Sequence, residues 1–134
     1  MKTNVYDVSD TVIIVGSCLE RMQPKAFEKL KEFGYDIYDI CLEEIHINMA
    51  VSKLCGMLAR VNVNKIIFAT VDNSPHCVQL HYIENELKKI MKIENIIFEH
   101  YVAVNDRLIK IENKTIKLSK SLSDLQNLSD SKYK

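Results

Sequence analysis

Glycine is scarce in this chain, with three among 134 residues, and this scarcity excludes several kinds of nucleotide site. A backbone cradle for phosphate needs closely spaced glycines, and the sequence contains neither a G-x-G-x-x-G pattern nor a Walker loop. Charge is balanced, with 18 basic and 18 acidic residues, and arginine is rare. We therefore expect no nucleic-acid partner, because that role needs a cationic face.

The sequence also lacks export and membrane signals. The segment Met1–Asp10 is polar and acidic, whereas a signal peptide is basic and then apolar. No apolar run approaches the length of a membrane span. We therefore expect a cytoplasmic protein with no membrane partner, whose four cysteines are reduced thiols. No C-x-x-C is present, so local spacing predicts neither a thioredoxin-type dithiol nor a zinc ribbon.

Hydrophobic patterning predicts an alternation of buried strands and amphipathic helices. The strands are short apolar runs, predicted at Thr11–Gly16, Asp36–Leu42, Lys65–Val71 and Asn95–Val104. Helical spacing of apolar residues predicts helices at Pro24–Phe33, at His46–Val61 and from Pro75 to about Lys92. This alternation predicts an α/β fold, a three-layer doubly wound sheet of the flavodoxin or Rossmann type that is mostly parallel.

The chain after the fourth predicted strand contains turn signals. Asn105 and Asp106 are typical of a tight turn into Arg107–Ile111, which would add a C-terminal antiparallel hairpin to the sheet. A second turn would then lead into Thr115–Leu118. A doubly wound sheet with an exposed edge hairpin is compatible with a homodimer.

We expect one α/β domain over residues 1–118 and a flexible or weakly docked tail over 119–134. The tail is rich in serine and lysine, and such chain ends are commonly poorly ordered. It also carries three leucines that could form a short docking helix, at Leu122, Leu125 and Leu128.

Reactive side chains follow each of the first three predicted strands, where open parallel sheets form their sites. These loops carry Ser17 and Cys18, then Cys41 with Glu43, Glu44 and His46, then Asp72, Asn73, Ser74, His76 and Cys77. Three of the four cysteines take equivalent places, so the sequence predicts that their thiols converge at one edge. The alternative is that they pack as small hydrophobes, which we expect for the mid-helix Cys55.

Cys77 is predicted to lie in the first turn of a helix. Free backbone N–H groups and the helix dipole lower the pKa of a thiol in such a position. His81 follows one turn along the same face, where it could pair with the thiolate or share a metal with it. His76 instead continues the buried stripe toward the sheet. His100 lies inside a strand, and we expect a hydrogen-bonded core or edge histidine there.

The third loop resembles that of the iron–sulfur delta subunit of methyl-viologen-reducing hydrogenase. That family has cysteines after successive strands of an α/β domain, and a Cys-His-Pro-Gly-Asp-Cys-His-Tyr run after one of them. The matching residues here are Cys18 and Cys41 at strand ends, then Ser74-Pro75-His76-Cys77 and His81-Tyr82. The family's paired cysteines are single here, and its Pro-Gly-Asp is missing. The resemblance implies an iron–sulfur cluster or zinc, and a redox partner protein.

The leading hypothesis is a metal- or iron–sulfur-binding redox or accessory protein. Its proposed ligands are Cys18, Cys41 and Cys77, completed by His81 or His76. The second hypothesis is a thiol enzyme with Cys77 as nucleophile and His81 as activating base, oriented by Asp72 or Glu44.

The third hypothesis is a non-catalytic small-molecule-binding or assembly subunit, because doubly wound frames host many functions. Where a cofactor or other small molecule binds, we expect the contacts at the first and third loops. The residues predicted for this role are Ser17, Asn73, Ser74 and His76.

Overall fold

The computed structural model describes residues 11–40, 47–60, 63–72, 79–90, 96–119 and 121–133. Its strands are β1 Thr11–Gly16, β2 Asp36–Ile40, β3 Lys65–Val71, β4 Ile97–Val104 and β5 Arg107–Ile111. Its helices are α1 Cys18–Met22, α2 Pro24–Lys31, α3 Ile47–Arg60, α4 Ile83–Ile90, α5 Asn113–Leu118 and α6 Leu122–Tyr133. Within the described ranges, no helix has the length and apolar character needed to cross a membrane.

The five strands form one sheet in the order β2-β1-β3-β4-β5. The first four strands are parallel, and β5 pairs with β4 in the antiparallel direction. The hairpin between β4 and β5 turns through Asn105 and Asp106, whose φ angles are 51 and 61. Two consecutive left-handed residues are what a two-residue type I′ turn requires. The predicted doubly wound fold and its C-terminal hairpin are therefore confirmed.

Side chains of β1 and β3 alternate between two apolar clusters, one on each side of the sheet. The first side, here called face A, is covered by α3 and α4 and carries Val12, Ile14, Ile66 and Phe68. The second side, face B, is covered by α1 and α2 and carries Ile13, Val15, Ile67 and Ala69. Burial on both sides explains why these strands are continuous apolar runs in the sequence.

The helix predicted to begin at Pro75 is interrupted in the structure. A helical turn at 79–81 is followed by a turn residue, Tyr82, and then by α4. The Tyr82 N–H donates to the Gln79 carbonyl, and the Asn85 N–H donates to the Tyr82 carbonyl, both at 3.1 Å. These bonds span three residues and tighten the chain locally. As a result Leu80 and His81 are buried on one side of Tyr82, and Ile83 and Glu84 on the other.

The chain turns into a helix immediately after β1, which the sequence did not predict. The short α1 ends at Gln23, whose φ of −135 and ψ of 64 are not helical. Pro24 then begins α2, as predicted, because a proline at the first helical position gives up no hydrogen bond. Gly34 ends this region with a φ of 77, the left-handed conformation expected of a glycine after a helix.

The C-terminal segment is more helical than predicted. Thr115–Leu118 belongs to α5, which buries Ile116. The predicted tail contains α6, whose residues Leu122, Leu125 and Leu128 are 80%, 37% and 53% exposed.

Candidate functional site

The carboxyl edge of the sheet brings together the strand ends that precede the predicted cysteine loops. β1 lies between β2 and β3, and Gly16 is opposite Ile40 in the register of β1 and β2. The Ser17 N–H donates to the Ile40 carbonyl at 3.0 Å and extends this alignment by one residue. Cys41 and Cys77 lie outside the described residues, so the convergence of the three thiols stays a prediction.

Cys18 is the first residue of α1 and is half-buried against the cluster of face B. Its Sγ accepts a hydrogen bond from Arg21 Nη2 at 3.7 Å. The preceding Ser17 donates its hydroxyl to Asp39 Oδ2 at 3.3 Å. A cavity of about 260 Å³ opens beside Ser17 and Asp39, which is below the roughly 300–1,000 Å³ of most small-molecule sites. This side of the edge has room for an ion or a very small ligand.

His81 lies on the other side of the sheet. Its neighbours Leu80 and Ile83 belong to the cluster of face A, and its side chain is 4% exposed. Its Nε2 is 2.7 Å from Thr70 Oγ1, and its Nδ1 is 2.9 Å from His100 Nδ1. Both ring nitrogens are therefore engaged within the core. The structure does not bring His81 and Cys18, two of the predicted metal ligands, together.

A buried carboxylate holds the second histidine. The Nε2 of His100 is 2.7 Å from Glu84 Oε1, and the two residues are 2% and 3% exposed. The other carboxylate oxygen, Oε2, accepts hydrogen bonds from Lys88 Nζ at 2.7 Å and from Asn113 Nδ2. We call Thr70, His81, His100 and Glu84 the buried histidine chain.

Ordinary strand and helix periodicity places the buried histidine chain. Thr70 follows Phe68 by two residues on β3, so both face the same side of the sheet. His100 is opposite Phe68 in the register, and their rings stack with centroids 5.3 Å apart. Glu84 and Lys88 lie one turn apart on α4, and His81 precedes α4 across the turn at Tyr82.

The protonation of the chain is set by burial and by neighbouring charges. The pKa of His81 is lowered to about 3, first by burial and then by the repulsion that His100 exerts when it is protonated. Burial alone would raise the pKa of Glu84, but hydrogen bonds and charges from His100 and Lys88 outweigh it and hold the pKa at about 2. His81 is therefore neutral and Glu84 is an anion at neutral pH.

The chain reaches the surface at its Glu84 end. A groove of about 590 Å³ is lined there by Glu84, His100, Lys88 and Asn113, with Phe98 on its apolar wall. The Thr70 end is fully buried and lies one residue before the last residue of β3. One set of hydrogen bonds thus extends from a solvent groove to the carboxyl end of a central strand.

The remaining predicted site residues are placed only in part. Asp72 is exposed just after β3, and its N–H donates to the Ala103 carbonyl at 3.1 Å.

Among the side chains that the structure describes, no three from His, Cys, Asp and Glu surround a common metal position. Cys55 packs against the cluster of face A, as expected, and burial raises the pKa of its thiol. Besides Cys41 and Cys77, the predicted residues that lie outside the described ranges are Glu43, Glu44, His46, Asn73, Ser74 and His76.

Sequence reasoning missed Glu84, the residue at which the buried histidine chain ends. The available signal was its spacing from His81, together with a threonine inside an otherwise apolar strand at Thr70. Neither signal is specific, because Glu at such a position is far more often a solvated helix residue.

Comparison with known proteins agrees with this architecture. The model of a Rossmann-like domain family matches residues 8–133. Searches of curated proteins and of solved structures gave no significant match. Because the family model spans nearly the whole chain, this protein belongs to the Rossmann-like domain family.

Proposed function

We propose that this protein is a metal- or iron–sulfur-binding redox or accessory protein whose cysteine ligands lie at the carboxyl edge of the sheet. The strand order β2-β1-β3 carries the proposal. Neighbouring strands lie about 4.8 Å apart, so the three strand ends that precede Cys18, Cys41 and Cys77 fall within about 10 Å of one another. Loops of a few residues can bridge such a distance.

The structure changes the ligand set that we propose. His81 is held by Thr70 and His100 on face A, whereas Cys18 packs on face B. We therefore propose Cys18, Cys41 and Cys77 as the protein ligands, without His81. Three protein ligands leave a fourth position for water or a substrate, which is the pattern of reactive zinc sites. An iron–sulfur cluster in this place would exchange electrons with a redox partner protein.

Anaerobic purification followed by iron, zinc and acid-labile sulfide analysis tests this proposal. We expect stoichiometric metal in the wild type and its loss when Cys18, Cys41 and Cys77 are all replaced by serine. Cys55→Ser is the matched control, because that thiol packs against the helix-covered face A and should be irrelevant to metal content. Metal-free wild-type protein whose melting temperature does not change on chelation would refute the proposal.

The thiol-enzyme hypothesis has less support. It needs His81 beside the Cys77 thiol as a base. The two nitrogens of His81 instead lie within hydrogen-bond distance of Thr70 and His100. A proton that Cys77 gave to His81 would have to pass through the Thr70 hydroxyl.

A further inference from the structure

We propose that the buried histidine chain is a path for reversible proton transfer between the groove at Glu84 and the carboxyl end of β3 at Thr70. Its three links are 2.7, 2.9 and 2.7 Å long, all within hydrogen-bond range. An imidazole can accept a proton on one nitrogen while it releases one from the other. Two imidazoles in series, bonded through Nδ1, therefore form a continuous route.

The Glu84 end sets the resting direction of the hydrogen bonds. The carboxylate has no proton to give, so His100 Nε2 must donate to it. In the resting state that we propose, His100 carries no proton on Nδ1, so this nitrogen accepts from His81 Nδ1–H. The bare Nε2 of His81 then accepts from the Thr70 hydroxyl. The two rings thus carry opposite tautomers, and every hydrogen points toward Glu84.

Passing one proton reverses the hydrogen bonds between Thr70, His81 and His100 and returns Glu84 to its anionic form. An acid at the strand end, such as a thiol, protonates the Thr70 oxygen, and Thr70 passes its own hydroxyl proton to His81 Nε2. His81 then releases its Nδ1 proton to His100 Nδ1. His100 releases its Nε2 proton to Glu84, which gives it to water in the groove. One proton enters, one leaves and no electron moves; the same steps in reverse carry a proton from the groove to Thr70.

A purely structural role would not require buried ionisable side chains at these positions. Burying ionisable groups opposes folding, and apolar side chains of similar volume commonly stabilise a core at least as well. The chain also connects two distinct places, a groove and a strand end, as a transfer path requires. A role of this path in exchanging protons with a redox site at the carboxyl edge rests on the function proposed above. The path itself does not depend on that function.

The substitution Glu84→Gln tests the path without changing its shape. Lys88 Nζ and Asn113 Nδ2 both donate to the Oε2 position, so the amide oxygen of Gln must occupy that position. The amide NH2 group then faces His100 Nε2 and makes that nitrogen an acceptor. His100 must donate from Nδ1 to His81, and His81 must donate from Nε2 to Thr70.

The readout is the ¹⁵N chemical shift of each ring nitrogen, which separates protonated from bare nitrogens. In the wild type we expect His81 protonated at Nδ1 and His100 at Nε2. In Glu84→Gln we expect both tautomers to switch, although His81 does not contact residue 84 in the hydrogen-bond network. Glu86→Gln, at a half-buried glutamate of α4 that pairs with Lys89, should leave both rings unchanged.

Two results would overturn the path. One is a folded Glu84→Gln variant in which the tautomer of His81 does not change. The other needs no variant: a wild type in which both rings carry the same tautomer, or in which His100 is protonated on both nitrogens. The tautomers can be read whether or not the protein holds metal. A failure of the path is therefore distinct from a failure of the metal-binding proposal.

Discussion

His81 and His100 meet Nδ1 to Nδ1 at 2.9 Å inside the domain. Two imidazoles in this contact share a single hydrogen, so the protonation of one constrains the other. Each outer nitrogen is fixed in turn, by Thr70 for His81 and by Glu84 for His100. The contributions of His81 and His100 to the free energy of unfolding should therefore depend on each other.

Replacing either histidine with leucine should destabilise the fold, and replacing both should cost less than the sum. Each single change leaves the remaining Nδ1 unpaired in the core, which costs about 1–3 kcal/mol. The double variant removes both halves of that contact. Urea unfolding of His81→Leu, His100→Leu and the double variant should give a coupling energy of about 0.5–3 kcal/mol.

Leu30→Ala on face B is the control for this cycle. Combined with His81→Leu across the sheet, it should be additive within experimental error. Additivity of the two histidine substitutions would contradict an energetic link between the rings.

The free energy of unfolding should fall as the solution is acidified below pH 6.5. His81 has a pKa of about 3 in the folded protein, lowered by burial first, against an ordinary histidine pKa of 6.5. Between these values the unfolded chain binds a proton that the folded chain does not. The contribution of His81 to the free energy of unfolding is therefore fully present above pH 6.5. It is lost as the pH falls toward 3, by up to about 1.4 kcal/mol per pH unit.

Protonation of Glu84 should also lower the free energy of unfolding, at lower pH than for His81. Glu84 has a pKa of about 2 when folded, against an ordinary glutamate pKa of 4.5, so the unfolded chain again binds the extra proton. Urea unfolding at several pH values measures both contributions. In His81→Leu the loss between neutrality and about pH 5 should become shallower; an unchanged slope would show that another group causes it.

Alanine substitutions at two glycines should change the free energy of unfolding in opposite directions. Gly34 has a φ of 77, and no described atom lies within 4 Å of a Cβ added there. Gly34→Ala should cost about 1–2 kcal/mol from backbone strain alone. Gly56 lies within α3 with the same free space around its Cβ, so Gly56→Ala should stabilise by about 0.5–1 kcal/mol. Thermal unfolding of the two variants measures both signs, and a loss at Gly56 would contradict this account.

The substitution Asp106→Gly should stabilise the β4–β5 hairpin. Asp106 has a φ of 61, and its Oδ1 is buried without a hydrogen-bond partner among the described residues. Glycine relieves both costs and keeps the backbone N–H that donates to Gln23 Oε1 at 2.7 Å. We expect a gain of about 0.5–1 kcal/mol in unfolding free energy. A lower melting temperature than the wild type would show that the carboxylate has a stabilising contact.

The sequence predicted the parts of this fold that local chemistry dictates. Pro24 marks the start of a helix because proline fits its first turn. Asn105 and Asp106 mark the hairpin because they tolerate left-handed backbone. The apolar runs of β1 and β3 indicate strands buried on both sides.

The candidate site was less accessible to sequence reasoning because it depends on packing between distant segments. His81 was expected to lie beside Cys77, since residues four apart share a helical face. Cys77 lies outside the described residues, so this stays a prediction. The His81 side chain also bonds to Thr70 and to His100, 19 positions away in the chain, and the local sequence does not indicate either contact. Glu84 belongs to the same network only because β4 brings His100 to it.

The contact from Asn113 to Glu84 also determines how far the chain can be shortened. A chain that stops after Ile111 keeps every strand of the described sheet, but it removes one of the hydrogen-bond donors of a buried carboxylate. A chain that stops after Ser119 keeps Asn113 and the bond between Ser119 Oγ and Tyr82 Oη at 3.0 Å. The shortest version that retains these hydrogen bonds of Glu84 and Tyr82 therefore ends near residue 119, and α6 is the natural attachment point for a fused reporter.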